Sequence, residues 1–177
     1  LVRWIHSEFG MISPAVFIPL FEKNGLIQQL DKYVWRTTAG QIKEWKQRMG
    51  ISVPVSVNVS RIDMFDPGLV DTIEAIVREF GLTHEDMVLE LTESAYTENS
   101  GTIIEMAVKF REKGFYIEMD DFGSGYSSLN MLSDLPIDAM KLDMQFIRSA
   151  FKNGKNTRML EIVIEMAHTL NVPVIAE

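Results

Sequence analysis

Helical and extended hydrophobic patterns alternate along this chain of 177 residues. In helical segments apolar residues recur every three to four positions, and a glycine often follows the last turn. Extended segments instead alternate apolar and polar residues or are apolar throughout. The pattern predicts helices at 14–24, 27–49, 67–80 with Asp66 as its cap, 99–113, 127–133, 144–150 and 157–170, and strands at 53–59, 87–91, 115–119, 139–142 and 173–176. Strands that alternate with helices form parallel βαβ units, so we predict an α/β fold.

Polar residues concentrate at one end of each predicted strand. Side chains alternate between the two faces of a strand, so Glu118 and Asp120 face opposite to Ile117 and Met119. The carboxyl ends of parallel strands meet at one edge, where barrels and open α/β sheets bind ligands. We therefore expect the polar residues at these strand ends to lie together. They are Asn58, Glu90, Asp120, Asp121, Lys141 and Glu177.

The chemistry of this set favours a divalent metal. Oxygen donors without histidine or cysteine suit Mg²⁺ or Mn²⁺ rather than Zn²⁺. The adjacent carboxylates Asp120 and Asp121 could serve two ions, one bridging and one terminal, as in hydrolytic two-metal sites. Other interpretations stay open for each residue alone, because an acid at a strand end is most often a helix cap or a solvated turn residue. Lys141 could be a surface lysine, although its place between Met140 and Leu142 favours an orientation into the mouth of the barrel.

Composition narrows the class of protein. A hydrophobic fraction of 46% and a charged fraction of 24% are those of an ordinary soluble globular domain. The sequence has no cysteine, which excludes disulfides and thiolate metal sites and fits a reducing compartment. A net charge of −8 argues against binding of polymeric nucleic acid, which needs a basic surface. We find no signal pattern or membrane-spanning segment, so we expect a cytoplasmic domain, whose parent protein could still be anchored to a membrane.

The number of strands suggests an incomplete barrel. Five strands are predicted, whereas a closed (β/α) barrel of this kind has eight. The sequence starts without a preceding cap and ends inside a predicted strand. We therefore expect residues 1–177 to form one partial domain, an excerpt from a larger barrel, in preference to an open sheet.

With these residues identified, the sequence resembles the EAL-domain family of cyclic-di-GMP phosphodiesterases along its whole length. The resemblance depends on short motifs that follow one another in a fixed order and spacing. They are Leu1-Val2-Arg3-Trp4, Pro14 with Phe17-Ile18-Pro19, Gly25-Leu26-Ile27, Ser56-Val57-Asn58-Val59-Ser60, Glu90-Leu91-Thr92-Glu93-Ser94, Asp120-Asp121-Phe122-Gly123-Ser124-Gly125-Tyr126-Ser127-Ser128, Leu135-Pro136, Lys141-Leu142-Asp143 and Val174-Ile175-Ala176-Glu177.

The resemblance implies a fold and a reaction. The fold is a modified TIM barrel whose first strand runs against the others. The reaction is hydrolysis of one phosphodiester bond of cyclic di-GMP to the linear dinucleotide pGpG, with two Mg²⁺ or Mn²⁺ ions. Leu1 aligns with the last letter of the Glu-Ala-Leu motif, so the glutamate of that motif and the first strand are expected to precede the chain. The resemblance also implies a homodimer and, in the parent protein, a fused sensor or diguanylate-cyclase (GGDEF) domain.

The resemblance also implies roles for individual residues. Asn58, Glu90 and Asp120 look like ligands of the first metal, and Asp120 and Asp121 like ligands of the second. The remaining roles are as follows: Lys141 contacts the attacking water, Glu177 closes the site, Arg3 binds a substrate phosphate and Glu93 anchors the loop 122–128. The threonine that is usual in that loop is Ser124 here, a mild departure.

Three hypotheses about function follow. The first is a metal-dependent cyclic-di-GMP phosphodiesterase, favoured because the metal-ligand set inside the chain is intact. The second is a non-catalytic receptor or regulatory module of the same fold, which should have lost metal ligands. The third is a barrel enzyme that acts on another phosphoester. The residue two positions before Leu1 separates the first two, since a glutamate there supports catalysis.

Overall fold

The computed structural model confirms the α/β class and describes residues 2–97, 100–124, 135–152 and 157–176. Within these residues, seven strands and seven α-helices form a two-stranded hairpin, two consecutive helices and then a five-stranded sheet with helices between its strands. The strands are β1 Trp4–His6, β2 Gly10–Ile12, β3 Val55–Asn58, β4 Met87–Thr92, β5 Tyr116–Phe122, β6 Ala139–Leu142 and β7 Val174–Ala176. The helices are α1 Pro14–Asn24, α2 Ile27–Met49, α3 Leu69–Phe80, α4 Glu93–Thr97, α5 Ser100–Glu112, α6 Met144–Lys152 and α7 Thr157–Thr169.

The main sheet is parallel, and its strands follow chain order from β3 to β7. Asn58, Glu90 and Glu118 occupy the same level on three neighbouring strands, because Asn58 pairs with Glu90 and Glu90 with Glu118. Asp120 lies one level higher, paired with Thr92. Chain order and parallel direction together place all five carboxyl ends at one edge of the sheet.

Two helix boundaries predicted from the sequence are confirmed in full. Helix α1 ends before Gly25 and α2 before Gly50, and both glycines adopt the left-handed conformation that stops a helix. Helix α3 begins at Leu69 rather than at Pro67, because the Asp66 side chain accepts a hydrogen bond from the Gly68 N–H and closes a turn ahead of the helix.

The strands differ more from their predictions. Strand β3 covers only the central part of the predicted segment 53–59, and β5 continues to Phe122. The β1–β2 hairpin and the short helix α4 were not predicted. The helix predicted at 127–133 falls outside the described residues.

The hydrophobic core lies between the sheet and its helices. Leu91 of β4, Ile117 and Met119 of β5 are each no more than 1% exposed, and they pack in one cluster with Ile73 of α3 and Phe110 of α5. Because side chains alternate along a strand, burying this face places the intervening residues of β4 and β5 on the opposite, inner face of the sheet. None of the described helices is both long and apolar enough to cross a membrane.

Candidate active site at the carboxyl edge of the sheet

Four of the predicted site residues meet at the carboxyl edge of the sheet. The Lys141 Nζ lies 2.8 Å from Glu90 Oε1 and 3.5 Å from Asp120 Oδ1. The Asn58 amide nitrogen donates to Glu90 Oε2 at 3.3 Å. Strands β3, β4, β5 and β6 each contribute one residue to this cluster. The grouping follows from parallel strands that present inward-facing residues at similar heights.

The cluster is sheltered from water. The side chains of Glu90, Asp120 and Lys141 are 9%, 14% and 14% exposed. Burial raises the pKa of the Glu90 carboxyl, while the Lys141 ammonium lowers it and the Asp120 and Glu118 carboxylates add to the rise. The acidic groups of the site therefore repel one another, and the Lys141 ammonium offsets part of that repulsion.

Asp121 occupies a β-bulge. Between Met119 and Phe122 strand β5 contains one residue more than the matching stretch of β6. Asp121 takes a left-handed backbone conformation with φ of 57°, and its N–H donates to Asp120 Oδ1 at 2.9 Å. The extra residue returns Phe122, 6% exposed, to the core-facing side, where it pairs with Leu142. Both carboxylates can thus stand at the edge of the sheet without drawing Phe122 out of the core.

Glu93 connects α4 to the segment that follows β5. Its side chain is buried, and its Oε2 accepts a hydrogen bond from the Gly123 N–H at 2.8 Å. Gly123 has φ of 96°, a conformation that favours glycine. Residues 125–128 of the predicted loop lie outside the described part of the chain, so the anchoring role of Glu93 stays a prediction.

One contact that supports the site has no signal in the sequence. The indole N–H of Trp35, on α2, donates to the backbone carbonyl of Asn58 at 2.9 Å, and Trp35 is fully buried. This bond fixes the end of β3 from the helix side. The two residues are far apart in sequence and match no local motif, so only the tertiary structure reveals the contact.

Of the two remaining predicted residues, the structure describes Arg3 but not Glu177. Arg3 precedes β1, donates to the Val2 carbonyl at 3.1 Å and lines a cavity of about 210 Å³ with Trp4, Phe17 and Tyr33 among its walls. Glu177 is outside the described residues. Their predicted roles in phosphate binding and site closure stay predictions.

The donor set fits a divalent cation of the Mg²⁺ or Mn²⁺ type. Glu90 and Asp120 offer carboxylate oxygens, and a half-turn of the Asn58 amide would present its oxygen in place of the nitrogen that now faces Glu90. Within the described residues, no three histidine, aspartate or glutamate side chains form a metal-binding group. A metal at this edge would therefore use the amide oxygen in addition to carboxylates.

The family model of the EAL domain matches residues 1–177, the entire chain. The chain belongs to the EAL domain family. This confirms the resemblance drawn from the motifs. The EAL chain is 35% identical over 177 residues to the cyclic di-GMP phosphodiesterase PdeR of Escherichia coli (strain K12), covering 100% of this chain and 27% of that protein. It is 31% identical over 177 residues to MucR of Pseudomonas aeruginosa, named a bifunctional diguanylate cyclase/cyclic di-GMP phosphodiesterase, covering 100% of this chain and 26% of MucR.

Solved EAL structures confirm the predicted fold. The PaMucR phosphodiesterase in complex with c-di-GMP superimposes with a TM-score of 0.92 at 31% identity, over 99% of this chain and 71% of that one. The FimX EAL domain from Pseudomonas aeruginosa bound to c-di-GMP, at 19% identity, has a TM-score of 0.88 over 99% of this chain and 70% of that one, and supports the fold alone. The parallel sheet with its helices is thus part of the TIM-like barrel of EAL domains. The chain spans less than a third of the length of each of these two curated relatives.

A pair of buried carboxyl groups lies behind the end of β3. Asp31 of α2 is 8% exposed and Asp63 is 1% exposed. The Oδ2 of Asp63 accepts from the Ser60 hydroxyl and N–H, whereas its Oδ1 has no donor if Asp31 is ionised. Burial raises the pKa of Asp31 to about 8, and a hydrogen bond to Asp63 and its charge add to the rise. A proton on Asp31 therefore satisfies the pair at neutral pH.

From this pair we predict that the free energy of unfolding falls as pH rises. The ordinary pKa of Asp31 is 3.8, so between about pH 4 and pH 8 the folded chain keeps a proton that the unfolded chain releases. The free energy of unfolding should decrease across that window and level off above it, by an amount on the order of several kcal/mol. Asp31→Asn keeps a neutral donor and should remove this loss, which urea unfolding from pH 4 to pH 9 measures. Equal slopes in the wild type and the variant would contradict the shared proton.

Proposed function

We propose that this chain hydrolyses one phosphodiester bond of cyclic di-GMP to the linear dinucleotide pGpG with the help of two Mg²⁺ or Mn²⁺ ions. The observation that supports it best is the cluster of Asn58, Glu90, Asp120 and Lys141 at the carboxyl edge of the sheet. Membership of the EAL domain family, together with relatives named cyclic di-GMP phosphodiesterases, supports cyclic di-GMP as the substrate. The net charge of −8 suits a metal-assisted reaction of a small phosphate ester, because cations offset the repulsion between site and substrate.

In this proposal the residues at the carboxyl edge of the sheet have different roles. Asn58, Glu90 and Asp120 would hold one ion, and Asp120 and Asp121 the second, on the strand ends described above. Bound divalent ions polarise a phosphate oxygen and lower the pKa of water, which supplies the nucleophile. Lys141, held against Glu90 and Asp120, would direct its positive charge and its hydrogen-bond donors toward the attacking water.

Two further residues complete the proposed site. Arg3 would bind a phosphate of the substrate, a task for which its fork of N–H donors is suited, and Glu177 would close the site. Glu93 would transmit changes at the metal site to the loop 122–128 through its bond to the Gly123 N–H.

We also propose the setting in which the chain works. The domain would act in the cytoplasm as a homodimer, within a protein that also carries a sensor or a GGDEF domain. The bifunctional name of MucR and the small share of each curated relative that the chain covers support the attached domain.

The decisive experiment incubates the full-length protein with cyclic di-GMP and Mg²⁺ or Mn²⁺ and separates the products by liquid chromatography. We expect pGpG to accumulate, and removal of the metal by EDTA to stop its formation. Linear dinucleotide that still forms at the same rate in EDTA would rule out the metal mechanism. Tight binding of cyclic di-GMP without any product would instead assign the chain to the non-catalytic receptors.

A further inference from the structure

Glu118 lies inside the candidate site although the family motifs assign it no role. It stands on β5 two residues before Asp120, on the same inward face, and is 8% exposed. In register it is the neighbour of Glu90 on the adjacent strand, and Glu90 is in turn the neighbour of Asn58. Neighbouring strands lie about 4.8 Å apart, so the three residues form one continuous polar row across the sheet.

A hydrogen bond fixes the Glu118 carboxylate below this row. The Ser56 hydroxyl donates to Glu118 Oε2 at 3.0 Å. Ser56 belongs to β3 and Glu118 to β5, so the bond spans the inner face of β4, which separates the two strands. Ser56 lies one level below Asn58, since it pairs with Val88 rather than with Glu90. The carboxylate of Glu118 is therefore directed toward the amino end of the strands, away from Lys141.

The charge of Glu118 acts on the cluster above it. Glu118 pairs in register with Glu90 on the neighbouring strand, and Asp120 lies one level higher on its own strand. Glu90, Asp120 and Glu118 bring three acidic groups into a sheltered space, and Lys141 offsets one of them. Buried charge of one sign is costly unless a cation balances it, because the interior screens charges less than water does.

We propose that Glu118 is a positioning residue that strengthens the binding of a divalent cation at the carboxyl edge without being a ligand itself. It supplies a fixed negative charge one level below the ligand oxygens, and Ser56 keeps that charge in place. The inference rests on the proposed function, since it concerns the same site. A merely structural role, in which Glu118 only pairs with Ser56, predicts no effect on metal binding once the fold is intact.

The test measures Mn²⁺ binding to the full-length protein without substrate, by titration with electron paramagnetic resonance detection. Glu118→Gln keeps a hydrogen-bond acceptor for Ser56 and removes the charge, so we expect about tenfold weaker binding of Mn²⁺ to the EAL site. Glu118→Asp keeps the charge and should restore most of the affinity. Glu112→Gln, which removes one charge from the exposed surface of α5, should bind Mn²⁺ as the wild type does.

The outcomes separate this inference from the proposed function. Unchanged affinity in a folded Glu118→Gln protein overturns the role of Glu118, while hydrolysis by the wild type leaves the proposed function intact. A wild type that binds no Mn²⁺ overturns both. If Glu118→Gln does not fold, the double variant Ser56→Ala with Glu118→Ala removes the hydrogen-bonding pair together and should lose the same affinity. Wild-type affinity in that double variant also overturns the inference.

Discussion

Replacing Asp120 with asparagine is expected to reduce hydrolysis of cyclic di-GMP by at least about a hundredfold. The substitution removes the charge that faces Lys141 at 3.5 Å and that is proposed to bridge two metal ions. Asparagine keeps an oxygen in place of Oδ1, which accepts the Asp121 N–H, so the end of β5 should retain its conformation. Initial rates of pGpG formation at saturating Mn²⁺ measure the effect, and a thermal melt checks the fold.

The matched control for this variant is Asp71→Asn, which makes the same change of charge on the exposed face of α3. We expect its rate to equal that of the wild type within a factor of two or so, because a surface charge far from the site is screened by solvent. Full activity of Asp120→Asn in a protein that melts normally would mean that the metal site lies elsewhere.

Replacing Gly123 with alanine is expected to destabilise the protein by about 2–4 kcal/mol. Gly123 has φ of 96°, which an L side chain rarely adopts, and an added Cβ would stand 2.5 Å from Cγ of Phe146 on α6. Relief of that overlap must move α6 or the end of β5, which carries Asp120 and Asp121. Turnover should therefore fall together with stability, and denaturant unfolding combined with initial rates measures both.

Gly101→Ala is a control in which alanine should not destabilise the protein. Gly101 lies in α5, and an added Cβ would meet no atom within 4 Å. Alanine costs less conformational entropy than glycine in a helix, so this variant should be unchanged or up to about 1 kcal/mol more stable. Equal stabilities of the two alanine variants would show that the backbone at Gly123 tolerates a side chain.

Local patterns were sufficient to predict the long helices and the strands of the parallel sheet, but not the short elements. The left-handed glycines Gly25 and Gly50 end α1 and α2 at the predicted residues. The β1–β2 hairpin was missed because strands of three residues are too short for a periodic pattern, and its Ile5 and Met11 are exposed rather than buried on one side. Short, exposed strands are held by their partner strand, which sequence periodicity does not record.

Only the inward-facing residues of the candidate site could be predicted from the sequence. Asn58, Glu90, Asp120 and Lys141 could be found because alternation and strand ends place them together, and the structure does bring them into contact. The bulge at Asp121 could not be predicted, since it arises from the pairing of β5 with β6 rather than from the residues of β5 alone.

The position of Trp35 gives the protein a built-in spectroscopic probe of its own site. The chain has three tryptophans, and this one is fully buried with its indole N–H bonded to the Asn58 carbonyl. A proton held in this way exchanges with solvent only when the structure around it opens. The exchange rate of a single indole proton therefore reports how often the end of β3 separates from α2, without any label attached to the residues of the site.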